Sequence, residues 1–390
     1  MERYREVKRP GPSARGFSFS PSIRIVAAAF KRMLRSARAS GTRREMDVFE
    51  LTRRLVDIES TSGQEERVGI CLLDLLTEMV RRTDGRVERC DVEPGRFNVF
   101  ARWGDPVVTL STHMDTVPPY FPSRNDGDLI WGRGACDAKG IIAAMIAAAE
   151  SLLASGTRNF ALLFVVGEER NSAGALHAAR NPRGSRYLIN GEPTENKLAL
   201  ASKGMLRYEI RSKGKLAHSA YPELGDSAID KLLDALREVR RIALPRDPVL
   251  GGTTLNIGVI SGGRAPNVVA DAAAAEIAVR LVGDPSPIRE AITRAVAGRA
   301  EAREILCIPA AHFDALVGFD TTVVAYTTDI PAFAGMWGEP FLLGPGSIHV
   351  AHTNEEHVRK ADLANAARLY ERMVKQLLAA EVSDRKGKRV

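Results

Sequence analysis

The chain has 390 residues, 45% of them hydrophobic, which is enough apolar material for a large core and for two domains or more. Its net charge of +7 is uneven, because residues 1–45 carry twelve Lys/Arg against three Glu and leave the rest of the chain at −2. Since the basicity lies at the ends, it indicates neither a nucleic-acid nor a membrane partner for the folded body.

The ends of the chain lack the patterning of the body. The run SIRIVAAAF is too short to span a membrane, and no clear cleavage pattern follows it. We predict a disordered basic leader over 1–45 without a signal peptide, with Met46 as the natural start, and a basic tail over 383–390. An Arg-rich transit peptide is the alternative. No C-x-x-C spacing links the cysteines, so we predict a cytoplasmic protein without disulfides or a thiolate zinc site.

From Met46 onward, helical and strand patterns alternate. Helical periodicity over 47–59 and 64–82 is followed by the strand-like runs RFNVFARW and PVVTLSTHMD, the helix IIAAMIAAAESLLAS and the strand FALLFVV. Such alternation predicts an α/β domain with a mostly parallel sheet flanked by helices. We assign 46–202 and 311–382 to this domain, with the chain returning to its sheet at about Phe313.

Residues 203–310 have a different pattern and are predicted to form an inserted α+β, ferredoxin-like domain. Two helices, SAIDKLLDALREVRRIA and PIREAITRAVAGRA, alternate with strands that begin at GMLRYEIRSKG and end at EILCIPA. The two middle strands read as a hairpin.

Polar residues follow the buried strands of the first domain, at the edge where open α/β sheets place their sites. The clusters are STHMDTVP with His113 and Asp115, GRGACDAKG with Asp137, VVGEER with Glu168 and Glu169, LINGEPT with Glu192, and VAHTNEEH with His352. One such cluster alone is more often a cap or a solvated turn. Five together, rich in imidazole and carboxylate and free of ligand-spaced cysteine, favour a zinc or related divalent site for hydrolysis.

The adjacent pair Glu168 and Glu169 fits this chemistry. Successive side chains point in opposite directions, so one glutamate can bind a metal while the other takes a proton from an activated water. The residues alone leave open which one does which. Two positions apart, His113 and Asp115 suggest that the carboxylate accepts the other ring N–H of the histidine.

The ordered series HMDTVP, GRGACDAKG, GEE, GEPT and GPG with AHTNEE resembles the dinuclear zinc metallohydrolases that include acetylornithine deacetylase, succinyl-diaminopimelate desuccinylase, aminoacylase and glutamate carboxypeptidase. The resemblance covers about residues 46–380. It implies two zinc ions, or cobalt or manganese in their place, and five ligands: His113, Asp137, Glu169, Glu192 and His352. It further implies that Asp137 bridges the ions, Glu168 is the general acid/base, and Asp115 orients His113.

The inserted domain matches the family's lid, or dimerisation, domain. The segment KGKLAHSAYPELGDSAID carries His218, which in dimeric relatives reaches the partner's site and stabilises the tetrahedral intermediate. A plain cap of a strand-to-helix turn is the alternative. Asn267 and Arg280 match positions that face the substrate in relatives, and a guanidinium suits an α-carboxylate. The resemblance thus implies a homodimer.

Two histidines compete with His352 as the last ligand, because GPGSIHVAHTNEEH also contains His349 and His357. The Ala-His pair with Glu356 four residues later matches the family and favours His352. Glu356 itself is expected to support the loop.

The motifs look closest to the deacetylase and desuccinylase branch, which implies removal of an acetyl or succinyl group from a small amino acid. A metal-bound hydroxide would attack the amide and Glu168 would protonate the leaving amine. A dipeptidase, a carboxypeptidase or a deacylase of carrier-protein-linked amino acids in lysine biosynthesis is the alternative. An inactive binding protein on the same fold is the non-enzyme alternative. No phosphate-binding loop or nucleophile elbow occurs in the sequence.

Overall fold

The computed structural model describes residues 47–387. The predictions for the leader and for Met46, and those for residues 388–390 of the tail, lie outside the described residues. Within this range, no helix is both long and apolar enough to cross a membrane.

The main sheet has six strands: β1 (Arg86–Glu93), β2 (Arg96–Trp103), β3 (Val108–His113), β6 (Phe160–Val165), β7 (Tyr187–Asn190) and β19 (Glu339–Leu342). Their order is β1-β2-β6-β3-β7-β19. The last four are parallel neighbours, whereas β1 and β2 are antiparallel at one edge. Every residue of β3, β6 and β7 is buried, as expected when both faces of a parallel sheet are covered. The predicted mostly parallel α/β sheet is confirmed.

The described residues contain seven α-helices: α1 (Val48–Val56), α2 (Glu66–Thr83), α3 (Lys139–Ala154), α4 (Ala173–Arg180), α5 (Ala228–Val239), α6 (Ser286–Val296) and α7 (Lys360–Gly387). The alanine-rich α3 is buried nearly all round, because it contacts α1, α7, β3 and β6. Elsewhere on the sheet, α4 and the 3₁₀ turn Ile330–Phe333 pack with Phe100, Leu163 and Trp337.

A second, antiparallel sheet has the order β13-β15-β9-β16. Its strands are β9 (Gly204–Lys213), β13 (Thr254–Gly262), β15 (Ala272–Leu281) and β16 (Glu301–Ile308). The side chains of β9 alternate between buried and less buried, and its buried face packs with α5 and α6 in a separate core. The predicted α+β unit is thus confirmed as a fold class.

Smaller pairings complete the structure. One three-stranded sheet contains, in order, β17 (Ala311–His312), β8 (Leu198–Ser202) and β18 (Thr321–Val324), and another contains β20 (His357–Arg359), β5 (Leu129–Trp131) and β4 (Arg124–Asp126). Two pairs of short strands are β10 (Ala217–His218) with β14 (Val268–Val269) and β11 (Arg246–Asp247) with β12 (Gly251–Gly252). The chain therefore does not return to the main sheet at about Phe313. Residues 311–324 first pair with β8, and the main sheet resumes at Glu339.

The chain enters and leaves the second sheet at one corner. Met205, at the start of β9, pairs with Ile308, at the end of β16. Gly204 is packed so closely on this crossing that a Cβ atom there would lie 2.6 Å from the amide nitrogen of Ala310. Glycine is therefore required at this position.

Candidate metal centre

Three neighbouring parallel strands deliver the first site residues to one edge of the main sheet. Strand β3 ends on His113, β6 is followed by the glutamate pair, and β7 is followed by Glu192. Parallel strands have their carboxyl ends at the same edge, so these side chains meet there. Asp137 lies two residues before the first residue of α3, and His352 lies in the loop after β19.

Asp137 lies between two histidines. Its Oδ1 is 3.0 Å from Nε2 of His113, and its Oδ2 is 3.3 Å from Nε2 of His352. The Oε1 atom of Glu169 is 3.0 Å from the same nitrogen of His352. One ligand atom each from His113, Asp137 and Glu169 lies within 4.8 Å of the others. The two oxygens of Asp137 thus face two different histidines.

Glu192 is buried beside this cluster, and its Oε1 atom has no hydrogen-bond partner among the described residues. A buried carboxylate oxygen without a donor is costly unless a cation or a proton compensates it. Burial raises the pKa of Glu192 well above its usual range.

The pKa values of the two histidines are raised as well. Hydrogen bonds to Asp137 and Glu169 raise the pKa of His352 to about 10. Burial opposes protonation of His113, but contacts with Asp115 and Asp137 outweigh it and raise its pKa well above the usual value. A divalent cation bound among these groups would take the place of protons on them.

The available donors fit a divalent cation. Imidazole nitrogens and carboxylate oxygens converge, whereas the thiol of Cys136 points to the carbonyl oxygen of Ser347, 3.4 Å away. Nitrogen and oxygen ligands without thiolate are typical of hydrolytic zinc and related sites. His352 has a left-handed backbone with φ 64°, a strained conformation that is common at functional sites.

Asp115 holds the turn that carries the two glutamates. Its Oδ1 accepts hydrogen bonds from the backbone N–H groups of Gly167, at 2.9 Å, and Glu168, at 3.1 Å. Its Oδ2 accepts bonds from the N–H of Glu169, at 3.3 Å, and the hydroxyl of Ser62, at 2.6 Å. The carboxylate therefore fixes the position of both glutamates.

The predicted bond from His113 to the Asp115 carboxylate is not the closest contact of that ring. The Nδ1 atom of His113 is 3.0 Å from the main-chain oxygen of Asp115 and 3.5 Å from its Oδ1. The carboxylate is instead occupied by the glutamate turn. Asp115 thus contacts His113 chiefly through its backbone.

Glu168 lies next to the cluster. Burial, followed by the charge of Glu192, raises its pKa well above the usual range. A carboxyl group with a raised pKa beside potential metal ligands is suited to proton transfer. Sequence reasoning missed Asp329, a buried carboxylate whose charge contributes to the pKa of Glu168 and Glu192. In the sequence, TTDIP is typical of an ordinary turn cap.

The other two histidines of the last motif lie away from the cluster. The ring of His357 packs against that of Trp131, with centroids 4.5 Å apart and planes inclined at 42°, and His349 is exposed. This placement favours His352 as the ligand.

The three site residues predicted in the inserted domain lie within residues 203–310, the segment that contains the second sheet. His218 is exposed on β10, its Nδ1 accepts the N–H of Ala220, and Asn267 lies next to its partner strand β14. Arg280 is on β15, half-buried, and burial lowers its pKa. Its Nη1 has no hydrogen-bond partner in the described part of the chain. None of the three is hydrogen-bonded to the metal cluster within residues 47–387.

Known proteins share this fold and sequence pattern. The profile of peptidase family M20/M25/M40 matches residues 109–376. A peptidase M20 domain-containing protein of Schizosaccharomyces pombe is 37% identical over 338 residues, which cover 84% of each chain. A probable carboxypeptidase of Aspergillus niger is 38% identical over 374 residues, 85% of this chain and 88% of the relative.

A solved structure shows the same fold at lower identity. YxeP of Bacillus subtilis, described as a dinuclear metal-binding peptidase of the M20 family, has a TM-score of 0.62 at 17% identity and covers 86% of this chain and 98% of its own. The resemblance predicted from the five ordered motifs is confirmed. The chain belongs to peptidase family M20/M25/M40 and is a metal-dependent hydrolase of amide bonds, peptide bonds included.

Proposed function

We propose that the protein cleaves the amide bond on the amino side of a C-terminal residue with a free α-carboxylate, as a carboxypeptidase of short peptides does. The observation that carries this proposal is the buried Nη1 of Arg280, which has no hydrogen-bond partner within residues 47–387. A guanidinium with unused donors suits a carboxylate. The probable carboxypeptidase of Aspergillus niger, at 38% identity, supports the same choice.

The metal centre is proposed to hold two divalent cations, zinc in the first place and cobalt or manganese as substitutes. His113 and Glu192 would hold one cation and His352 and Glu169 the other, with one oxygen of Asp137 for each. The division of the Asp137 oxygens between the two histidines supports this arrangement. When bound, such an ion lowers the pKa of a water toward about 7 and polarises the substrate carbonyl.

Glu168 is proposed to move the proton. Its carboxylate takes a proton from the attacking water and delivers it to the nitrogen of the leaving amino acid as the amide bond breaks. Asp115 keeps this side chain in place through the backbone of the turn. The pKa of Glu168 is raised by burial and by Glu192, and the positive charge of bound cations would favour its carboxylate form.

The second candidate is removal of an acetyl or succinyl group from a small amino acid, which the motifs GRGACDAKG and GEPT favour. The leaving group is the same kind of amino acid, so the two reactions differ only on the acyl side. A carrier-protein-linked amino acid of lysine biosynthesis is a variant of this candidate. An inactive binding protein is disfavoured because all five predicted ligands and Glu168 are present.

We propose that the enzyme has a catalytic and a lid domain, forms a homodimer and works in the cytoplasm. Residues 46–202 and 311–382 form the catalytic domain and 203–310 the lid, through which two subunits pair. Apolar side chains exposed on α5 and on the edge strand β13 support this pairing: Ile229, Leu233, Val259 and Ile260. The free cysteines support a reducing compartment such as the cytoplasm.

A panel of matched substrates tests the proposed reaction. The metal-loaded protein is assayed with dipeptides, with the same dipeptides amidated at the C-terminus, and with N-acetyl and N-succinyl amino acids, each with and without chelator. We expect chelator-sensitive cleavage of the free dipeptides and little cleavage of the amides. Arg280→Met should weaken cleavage of carboxylate substrates by about 10–100-fold, the value of a hydrogen bond to a charged group.

Arg207→Met is the matched control, because Arg207 is exposed on the neighbouring strand β9 and is paired with Glu276. It should leave turnover unchanged. Equal cleavage of free and amidated dipeptides would overturn the role of the carboxylate, and cleavage of acyl amino acids alone would establish the second candidate.

A further inference from the structure

A buried carboxylate outside the ligand set joins the two loops that carry Asp137 and His352. Glu356 is fully buried and follows His352 in the same loop. Its Oε1 accepts hydrogen bonds from the backbone N–H groups of Gly134 at 2.8 Å, Cys136 at 3.2 Å and Asp137 at 3.1 Å. Three amides of one ligand loop thus converge on a single oxygen of the other.

Arg133 holds the second oxygen of this carboxylate. Its Nη1 donates to Oε2 of Glu356 at 2.6 Å, and its Nε donates to the carbonyl oxygen of Pro119 at 3.1 Å. Both side chains of the pair are 1% exposed. The main-chain oxygen of Glu356 also accepts the N–H of Gly132, at 3.0 Å. Glu356 therefore contacts the loop of Asp137 through backbone and side chain together.

Stability alone is a poor explanation for this pair. A buried ion pair is often no more stabilising than an apolar pair of the same volume, because both charges lose their hydration. Backbone N–H groups in a buried loop, by contrast, need acceptors, and the carboxylate of Glu356 is the acceptor for three such groups. The value of Glu356 lies in fixing the shape of the loop that ends at Asp137.

Glu356 is not a ligand in this arrangement, since both of its oxygens already accept hydrogen bonds from the protein. Asp137 is held by its amide on the side of Glu356, while its two carboxylate oxygens face His113 and His352. The same residue thus sets the backbone of one ligand and belongs to the loop of another.

We propose that Glu356, fixed by Arg133, is a positioning residue of the metal centre. It keeps Asp137 and His352 in register, so that the two groups of ligands around Asp137 are formed before a cation binds. This inference rests on the proposed metal centre. Residues that orient metal ligands in this way typically change metal affinity by about 10–100-fold when they are replaced.

The test compares Glu356→Gln with Glu355→Gln, the exposed neighbour that carries the same side chain. Metal affinity is measured by titrating the metal-free proteins with Co²⁺, whose visible spectrum reports ligand geometry, and thermal unfolding is recorded without metal. We expect Glu356→Gln to weaken Co²⁺ binding by about 10–100-fold and to alter the spectrum, with no change in Glu355→Gln.

A merely structural role predicts a different result, in which the unfolding temperature falls while the folded protein keeps its Co²⁺ affinity and spectrum. That outcome would overturn the inference. If Glu356→Gln does not fold, Arg133→Lys serves the same test, because it keeps the charge and the carboxylate but loses the paired geometry. A wild-type protein that binds no Co²⁺ would instead contradict the proposed metal centre itself.

Discussion

Glu168 and Glu169 are adjacent in the chain and share one anchor, yet their replacement should have different effects. Glu168→Gln is expected to keep its metal and to lower kcat by about 10²–10⁴-fold, the range for loss of a general acid or base. Glu169→Gln is expected to lose metal, because its Oε1 lies beside His352 and Asp137. Metal content and turnover are measured together. Near-normal turnover of Glu168→Gln would show that another group carries the proton.

Asp329 gives the metal-free protein a dependence on pH. Burial raises its pKa from 3.8 to about 7. Between about pH 4 and 7 the folded state binds this proton more tightly than the unfolded state, so the free energy of unfolding falls as pH rises. Above pH 7 the loss reaches about 4 kcal/mol at 1.36 kcal/mol per unit.

Asp329→Asn removes that charge. Urea unfolding of the metal-free variant should show a gain in stability over the wild type that is larger at pH 8 than at pH 5. An equal difference at both pH values would mean that this carboxyl group does not titrate in the folded protein.

At the scale of elements, the strands that carry the site were predictable because each has a recognisable sequence pattern. PVVTLSTH, FALLFVV and LIN are apolar runs that end in polar residues or are soon followed by them. They form β3, β6 and β7, whose carboxyl ends lie together. The segment after residue 310 was harder. Its short strands β17 and β18 pair with β8, and such choice of partner depends on tertiary packing that periodicity does not encode.

The contacts between loops could not be predicted from the sequence either. The spacing of His113 and Asp115 suggested a local bond between their side chains, whereas the carboxylate accepts N–H groups from residues 167–169. In the same way, nothing local to Glu356 indicates that its partner is Arg133, 223 residues earlier. Long-range hydrogen bonds of this kind form only when the sheet has brought its loops to one edge.

For the whole molecule, the proposed dimer makes a prediction about mixed subunits. If His218 acts in the partner's site, Glu168→Ala and His218→Ala proteins should each be inactive or nearly so. A hybrid of the two has one site with an intact Glu168 and an intact His218 from the partner. Random mixing should therefore restore about a quarter of wild-type activity.

Activity is measured after subunit exchange, and the oligomeric state is recorded by sedimentation. No recovery of activity in a confirmed hybrid would place His218 in its own subunit's site or outside the reaction.

A rotation of the second sheet at the corner beside Gly204 would displace the far end of the sheet much more than the corner itself. Its chain enters and leaves at one corner, and β9 runs for 10 residues from that corner, about 33 Å at 3.3 Å per residue. A tilt of about 10° at the corner would move the far end by about 6 Å, more than the length of a hydrogen bond. His218 lies just beyond that far end. A small rotation at Gly204 would therefore be magnified at the position of this imidazole.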